Sequence, residues 1–290
     1  MTIPTPNIPP RPDNAPTGSE WLRSLGVDPE SSANKPDRTG PGEAREQAIL
    51  EQVLSGNIPN FLRNLCPVHI SHGDLSGIIY TMPDYIAIGS DDDFVRIRPE
   101  CATFEQIVRA FDGIIPTPKI IDHIWKEAGV HIDPRPMTPE QGYPRNQSMM
   151  WTCRWPIHDK RTQKQFVKTL KPLGTLTAGH LKDIIISTEL DKKAKRGKKV
   201  GIYGWHRLNG KAIQGVNTFT HIFQYTDYSH GARYVFNKIA MPFLDEENQV
   251  CTTKLELIKD VLTDPNRCKL LSGESPALFK NPFYPLEGEV

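Results

Sequence analysis

The sequence predicts an α+β fold: two small, mainly antiparallel sheets with packed helices and an extended Pro-rich N-terminal arm. Three observations carry that reading. Short β-branched and aromatic runs fall in two blocks, segments of helical periodicity flank them, and nine of the 26 prolines crowd into the first 41 residues. The 290 residues carry 35 basic and 34 acidic side chains and 38% hydrophobic residues, the composition of an ordinary soluble protein.

Residues 1–42 read as a flexible arm, because so few apolar groups cannot offset the entropy of ordering. Within it, Ser19 to Leu25 has the pattern of one helical turn, with Trp21, Leu22 and Leu25 on one face. Residues 43–290 read as a single globular domain, with a second reading of two subdomains divided near 133–156. Ala44, Ala48, Ile49, Val53 and Leu54 recur at helical spacing before Gly56. Next come four extended stretches, at residues 68–70, 77–80, 85–88 and 94–97, expected to form one antiparallel sheet.

A helix capped by Thr103 follows, then a second through Trp125 to Ala128 after Pro116-Thr117-Pro118. Residues 133–155 read as an irregular loop. The later strands are expected at 183–187, 200–205 and 219–225, the last continued by 232–236 after a bend. Leu255, Leu257, Ile258, Val261 and Leu262 predict a helix near the end.

A formal charge of +1 lacks the broad basic footprint of a dedicated nucleic-acid binder, so nucleic acid is not expected as a partner. No apolar run is long enough to cross a bilayer, and MTIPTPNIPPRPDN lacks the pattern of a secretory signal. The expectation is a soluble, cytoplasmic protein without a membrane partner. Cys66, Cys101, Cys153, Cys251 and Cys268 are odd in number and form no CxxC pair, so reduced, buried thiols are expected. Cys66 and Cys153 also lack the glycine-rich helix start that would activate a thiol.

The candidate site lies late in the chain. His180, His206, His221 and His230 fall at or near the ends of predicted strands, accompanied by Lys182, Asp183, Asp227, Tyr228, Ser229 and Arg233. A histidine, His206, His221 or His230, would act as general base, Asp183 or Asp227 would orient it, and Ser229 would be nucleophile or donor. Lys182 and Arg233 would hold a substrate carboxylate, with Trp205 and Tyr228 lining the site. A tight Asp-Ser turn is the alternative reading of the Asp227 to Arg233 stretch.

A metal reading takes His180, His206 and His221 as ligands, identities that suit zinc, without any compact ligand spacing. Asp91-Asp92-Asp93 lacks the full calcium-loop pattern and reads as an acidic turn. Six basic residues between Lys192 and Lys199 read as a solvated hairpin loop.

Ser229-His230-Gly231-Ala232-Arg233 resembles the Ser-His-Gly-Cys-x-Arg motif of L,D-transpeptidases. The cysteine of that motif falls at Ala232 and its arginine at Tyr234, so the resemblance implies cell-wall peptide as a substrate class but not thioester chemistry. The blocks Gly179-His180-Leu181-Lys182-Asp183, Tyr203-Gly204-Trp205-His206 and Asp227-Tyr228-Ser229-His230-Gly231, with three earlier ones, are similar to a set of uncharacterised bacterial proteins over most of residues 44–240. That resemblance brings no activity.

The function expected is a hydrolase of cell-wall peptide or another carboxylate-bearing polymer. The alternative is a non-catalytic binding or interaction module tethered to a protein partner by residues 1–42.

Overall fold

The computed structural model describes residues 2–27, 42–137, 154–192, 197–216, 220–244 and 250–286. The α+β class holds, with small and mostly antiparallel sheets. No helix among the described residues is long and apolar enough to cross a membrane.

The predicted turn in the arm is helix α1, Gly18–Ser24, closed by a capping box between Thr17 and Glu20. It does not hang free. Trp21, Leu22 and Val27 are buried, Arg11 donates to Asn57 and to the Gly89 carbonyl, and Ser19 donates to Asp93. Residues 2–27 are therefore packed on the body, because these few apolar groups find a ready surface there. Residues 28–41 lie outside the described set.

Helix α2, Glu43–Leu54, buries Ile49 and Val53 as its spacing requires. A 3-10 turn at Asn60–Arg63 leads into β1, Cys66–His72, and β2, Leu75–Thr81, an antiparallel hairpin in register from Cys66↔Thr81 to His72↔Leu75. The next two strands, β3 (Ala87–Gly89) and β4 (Phe94–Arg96), form a separate two-stranded ribbon. The single early sheet expected from sequence is thus split. Between the two hairpins, the backbone of Met82 and Ile86 bonds to carbonyls of Tyr234 and Ala232, partners some 150 residues away that local pattern does not reveal.

Helix α3, Cys101–Ala110, starts two residues earlier than expected and has no side-chain cap; Thr103 is buried inside it. After β5, Gly113–Ile114, helix α4 spans Pro118–Glu127, capped by Thr117, whose hydroxyl accepts from Ile120 N. Strand β6, Val130–His131, precedes helix α5, Arg154–Lys168, most of which the sequence reading did not anticipate. Strand β7, Thr177–Ala178, pairs in parallel with β6.

The second block of strands comprises β8 (Lys182–Ile185), followed by the short helix α6 (Thr188–Lys192), and then β9 (Gly201–His206) and β10 (Ala212–Gln214). Strand β11, His230–Gly231, runs parallel to β8 and completes a four-stranded sheet ordered β10-β9-β8-β11. The strand expected at 219–225 is not formed over the described residues 220–225, where Ile222 makes one isolated bridge to Lys199.

Strand β12, Val235–Phe236, crosses back to the first sheet. There β13, Lys238–Leu244, and β14, Val250–Leu257, add a long antiparallel pair. Leu255 and Leu257 are consequently on a strand, and the helix predicted there shrinks to α7, Ile258–Leu262, followed by α8, Cys268–Leu271. The ladder with β13 overrides a helical spacing that is real only from residue 258 onward.

Candidate functional site

Strand β8 divides the polar groups. Successive residues on a strand point to opposite faces, so Lys182 and Asp183 serve two different clusters. Opposite them, β9 carries two consecutive left-handed residues, Gly204 at φ 93° and Trp205 at φ 57°. A tryptophan rarely takes that conformation. The inversion lets Trp205 lie with Lys182, whose ammonium stands 5.0 Å above the indole, and returns His206 to the Asp183 side.

On the Asp183 side, the His206 Nε2 lies 3.1 Å from Asp122 Oδ1, and the Tyr203 hydroxyl donates to the same oxygen at 2.8 Å. Trp125, one turn along α4 from Asp122, stacks on the His206 ring at 5.7 Å. In the tautomer that donates its Nε2 hydrogen to Asp122, His206 has Nδ1 as an acceptor. A methyl group built on Gly204 would stand 3.3 Å from His206 Nδ1 and 3.4 Å from Asp183 Oδ2. The two groups therefore converge on one point above Gly204, where even a methyl group would sit in tight contact.

Asp183 is buried, and that burial pushes its carboxyl up to about 6, against the opposing pull of Arg233, His206 and the Tyr85 hydroxyl, which donates to Oδ2 at 3.1 Å. Arg233 Nε stands 3.8 Å from Asp183 Oδ1, too far for a hydrogen bond. Its guanidinium lies 3.9 Å over the Tyr85 ring and donates to the Thr177 carbonyl at 2.9 Å. Arg233 is thus sealed beneath Asp183 rather than offered to a ligand.

On the opposite side, Asp227 is the hub. Its Oδ1 accepts from the Ser229 hydroxyl at 2.6 Å and from the Ser229 amide at 2.7 Å. Its Oδ2 accepts from Tyr225 at 3.3 Å and lies 3.7 Å from Lys182 Nζ and 3.9 Å from His230 Nε2. Burial works against ionisation of Asp227, but His230, Lys182 and Ser229 hold its carboxyl below the usual range. Burial brings the His230 imidazole down to about 4, so it is neutral at pH 7. His221, half-buried, stacks on Tyr225 at 3.7 Å.

Between the clusters runs a buried ion network. The Arg96 guanidinium grips Asp84 through two bonds of 3.0 and 2.7 Å and Asp159 through one of 3.0 Å, and the Arg96 amide donates to Asp159 at 3.2 Å. Arg98 donates to the Tyr228 carbonyl at 3.0 Å. His180 Nε2 approaches Asp84 at 3.3 Å without a hydrogen bond, and burial brings His180 down to about 4. The ring of His158, on α5, is buried against Tyr228, with neither nitrogen hydrogen-bonded among the described residues.

The structure thus gathers the predicted residues in two groups instead of one cleft. Lys182, Trp205, Asp227, Ser229, His230 and His221 share one side, while Asp183, His206 and Arg233 share the other. The suggested pairing of Ser229 with His206 or His221 is not formed, because the serine hydroxyl is committed to Asp227 in a tight turn. Nor do His180, His206 and His221 converge as metal ligands. Each ring lies against a different neighbour, and among the described residues no three His, Cys, Asp or Glu side chains are placed to hold a metal ion.

Asp91 and Asp93 form a turn whose carboxylates accept from Phe61 N and Ser19. The half-buried Cys66 thiol is raised by burial; Cys153 and residues 193–196 lie outside the described set. Sequence reasoning missed Asp122, Trp125, Tyr203 and Tyr85. Asp122 and Trp125 stand three apart on α4, off the side of the buried Ile120, Ile121 and Ile124, and that spacing was the available signal. Compared with known proteins, the chain matches no family model, no curated protein and no solved structure.

Proposed function

We propose that this protein is a hydrolase that cleaves an amide or ester bond by direct attack of water, with His206 as general base and Asp183 as general acid. The observation that carries the reading is the convergence of His206 and Asp183 over Gly204, which has no side chain to separate them. His206 Nδ1 and Asp183 Oδ2 face that point, and Asp122 fixes the histidine from behind. A pair of titratable groups held in different environments is the usual arrangement for splitting acid and base roles.

In this scheme His206 Nδ1 takes a proton from water as its oxygen bonds to the carbonyl carbon. The tetrahedral intermediate collapses, the bond to the leaving nitrogen or oxygen breaks, and the protonated Asp183 gives its proton to that atom. Solvent then reprotonates Asp183 and takes the proton from His206. Ser229 has no part in the bond changes; its hydroxyl holds Asp227. The substrate class, a carboxylate-bearing polymer such as cell-wall peptide, rests on the short motif resemblance alone, since Lys182 lies on the other face of β8 beside Asp227.

His206 and Asp183 are each only 4% exposed, and this favours a second reading, a non-catalytic module that holds such a ligand. Hydrolysis of cell-wall peptide fragments by the native chain, His206→Gln and Asp183→Asn separates the two. The enzyme reading expects kcat to fall by about 10²- to 10⁴-fold with KM little changed. Absence of turnover in the native chain, with variants altering only affinity, would establish the binding module.

A further inference from the structure

A pocket of about 200 Å³ opens between the β3–β4 ribbon and the end of α5, and neither His206 nor Asp183 lines it. Phe61, Phe94, Phe166, Val167 and Leu173 wall it, the Asp84–Arg96 pair lies at its floor, and Asp91 and Asp92 stand at its rim. An apolar cavity of roughly 150 Å³ accepts a benzene ring, so this one has room for a phenyl group and a short chain. Phe61 and Phe94 meet at 5.2 Å with their planes tilted by 60°, the kind of aromatic corner against which a third ring packs.

The mouth is unusual for a surface that faces only water. Val167 and Leu173, both in the pocket's wall, are 69% and 43% exposed. Exposed aliphatics lining a cavity mark binding surfaces more often than isolated ones do.

Charge decides what fits. Arg96 is fully engaged by Asp84 and Asp159, so the floor adds no free positive charge. Arg63, whose field reaches Asp91, spends its guanidinium on the carbonyls of Pro9 and Gly56. Asp91 gives one oxygen to the Phe61 amide and Asp92 is exposed, leaving the rim negative over apolar walls.

We propose that this pocket binds a small lipophilic cation, an aromatic or alkyl group carrying one ammonium, with the apolar part between the phenylalanines and the ammonium at Asp91 and Asp92. The site is separate from the proposed hydrolytic centre and does not depend on it. Calorimetric titration of the full-length chain with 2-phenylethylammonium, 2-phenylethanol and 3-phenylpropanoate tests it. The expected order is ammonium first, alcohol about tenfold weaker, carboxylate undetectable.

Asp91→Asn combined with Asp92→Asn should erase the preference of ammonium over alcohol, and Leu173→Arg, at an exposed mouth position that folding tolerates, should remove ammonium binding. Failure of all three probes to bind in the millimolar range, equal affinity for the carboxylate, or undiminished ammonium binding by Leu173→Arg would each overturn the proposal.

Discussion

The imidazole of His206 and the carboxylate of Asp122 meet at 3.1 Å although 84 positions separate them in the chain. The contact joins a helix to the last residue of a strand, and it fixes which imidazole nitrogen faces the point over Gly204. Replacing Asp122 by Asn keeps the shape but lets the ring turn or change tautomer. We expect kcat to drop by about 10- to 100-fold with KM little altered, measured on whichever peptide substrate the native chain hydrolyses. A loss confined to KM would argue against an orienting role.

Asp183 makes stability depend on pH. Burial raises its carboxyl to about 6 in the folded chain, against an ordinary value near 3.8, so the folded state prefers the protonated form. Stability is therefore greatest below about pH 4 as far as this group is concerned and falls as the pH climbs through 6, by about 3 kcal/mol in total. Urea unfolding of Asp183→Asn at pH 5 and pH 8 should show that difference much reduced. An undiminished difference would place the titration elsewhere.

The buried histidines act with the opposite sign. His180 and His230 are each brought down to about 4, so the folded state prefers them neutral. Their contribution is present above about pH 6.5 and is lost as the pH falls toward 4, by about 3 kcal/mol apiece. His230→Asn should flatten the acid limb of a melting-temperature profile. A limb unchanged in that variant would mean that the ring is not buried neutral.

Ser229→Ala should behave as a structural change. It deletes a buried hydrogen bond to a carboxylate, worth about 1.5–3 kcal/mol, and should lower the melting temperature while turnover per folded molecule stays near native. Turnover abolished at unchanged stability would return the serine to the role of nucleophile.

Much of the fold was legible because burial leaves a periodic trace. In α2 and α4 the buried residues recur every three or four positions, and in β1 Val68 and Ile70 alternate with exposed His69 and Ser71. The pairing of β13 with β14 was not legible, since Leu255 and Leu257 fit either a strand or a helix until the partner strand is known. At the site, Asp183 and His206 stood out as polar residues ending or opening apolar strands. Asp122 did not, because a lone acid on a helix face looks like any solvated residue. Arg96 and Arg98 flank buried Ile97 and would be assigned to a water-facing side; only the carboxylates Asp84 and Asp159, brought from elsewhere, make their burial intelligible.

The docked N-terminal segment bears on how the chain is made. Trp21 packs against Trp155, at 6.2 Å between ring centres, and Ser19 bonds to Asp93. Residues 2–27 leave the ribosome before these partners are synthesised, so Trp21 stays without its Trp155 neighbour until translation has passed residue 155. A nascent chain stalled before residue 93 lacks the Asp93 and Trp155 part of this segment's seat, and such truncated products should be the ones that chaperones hold.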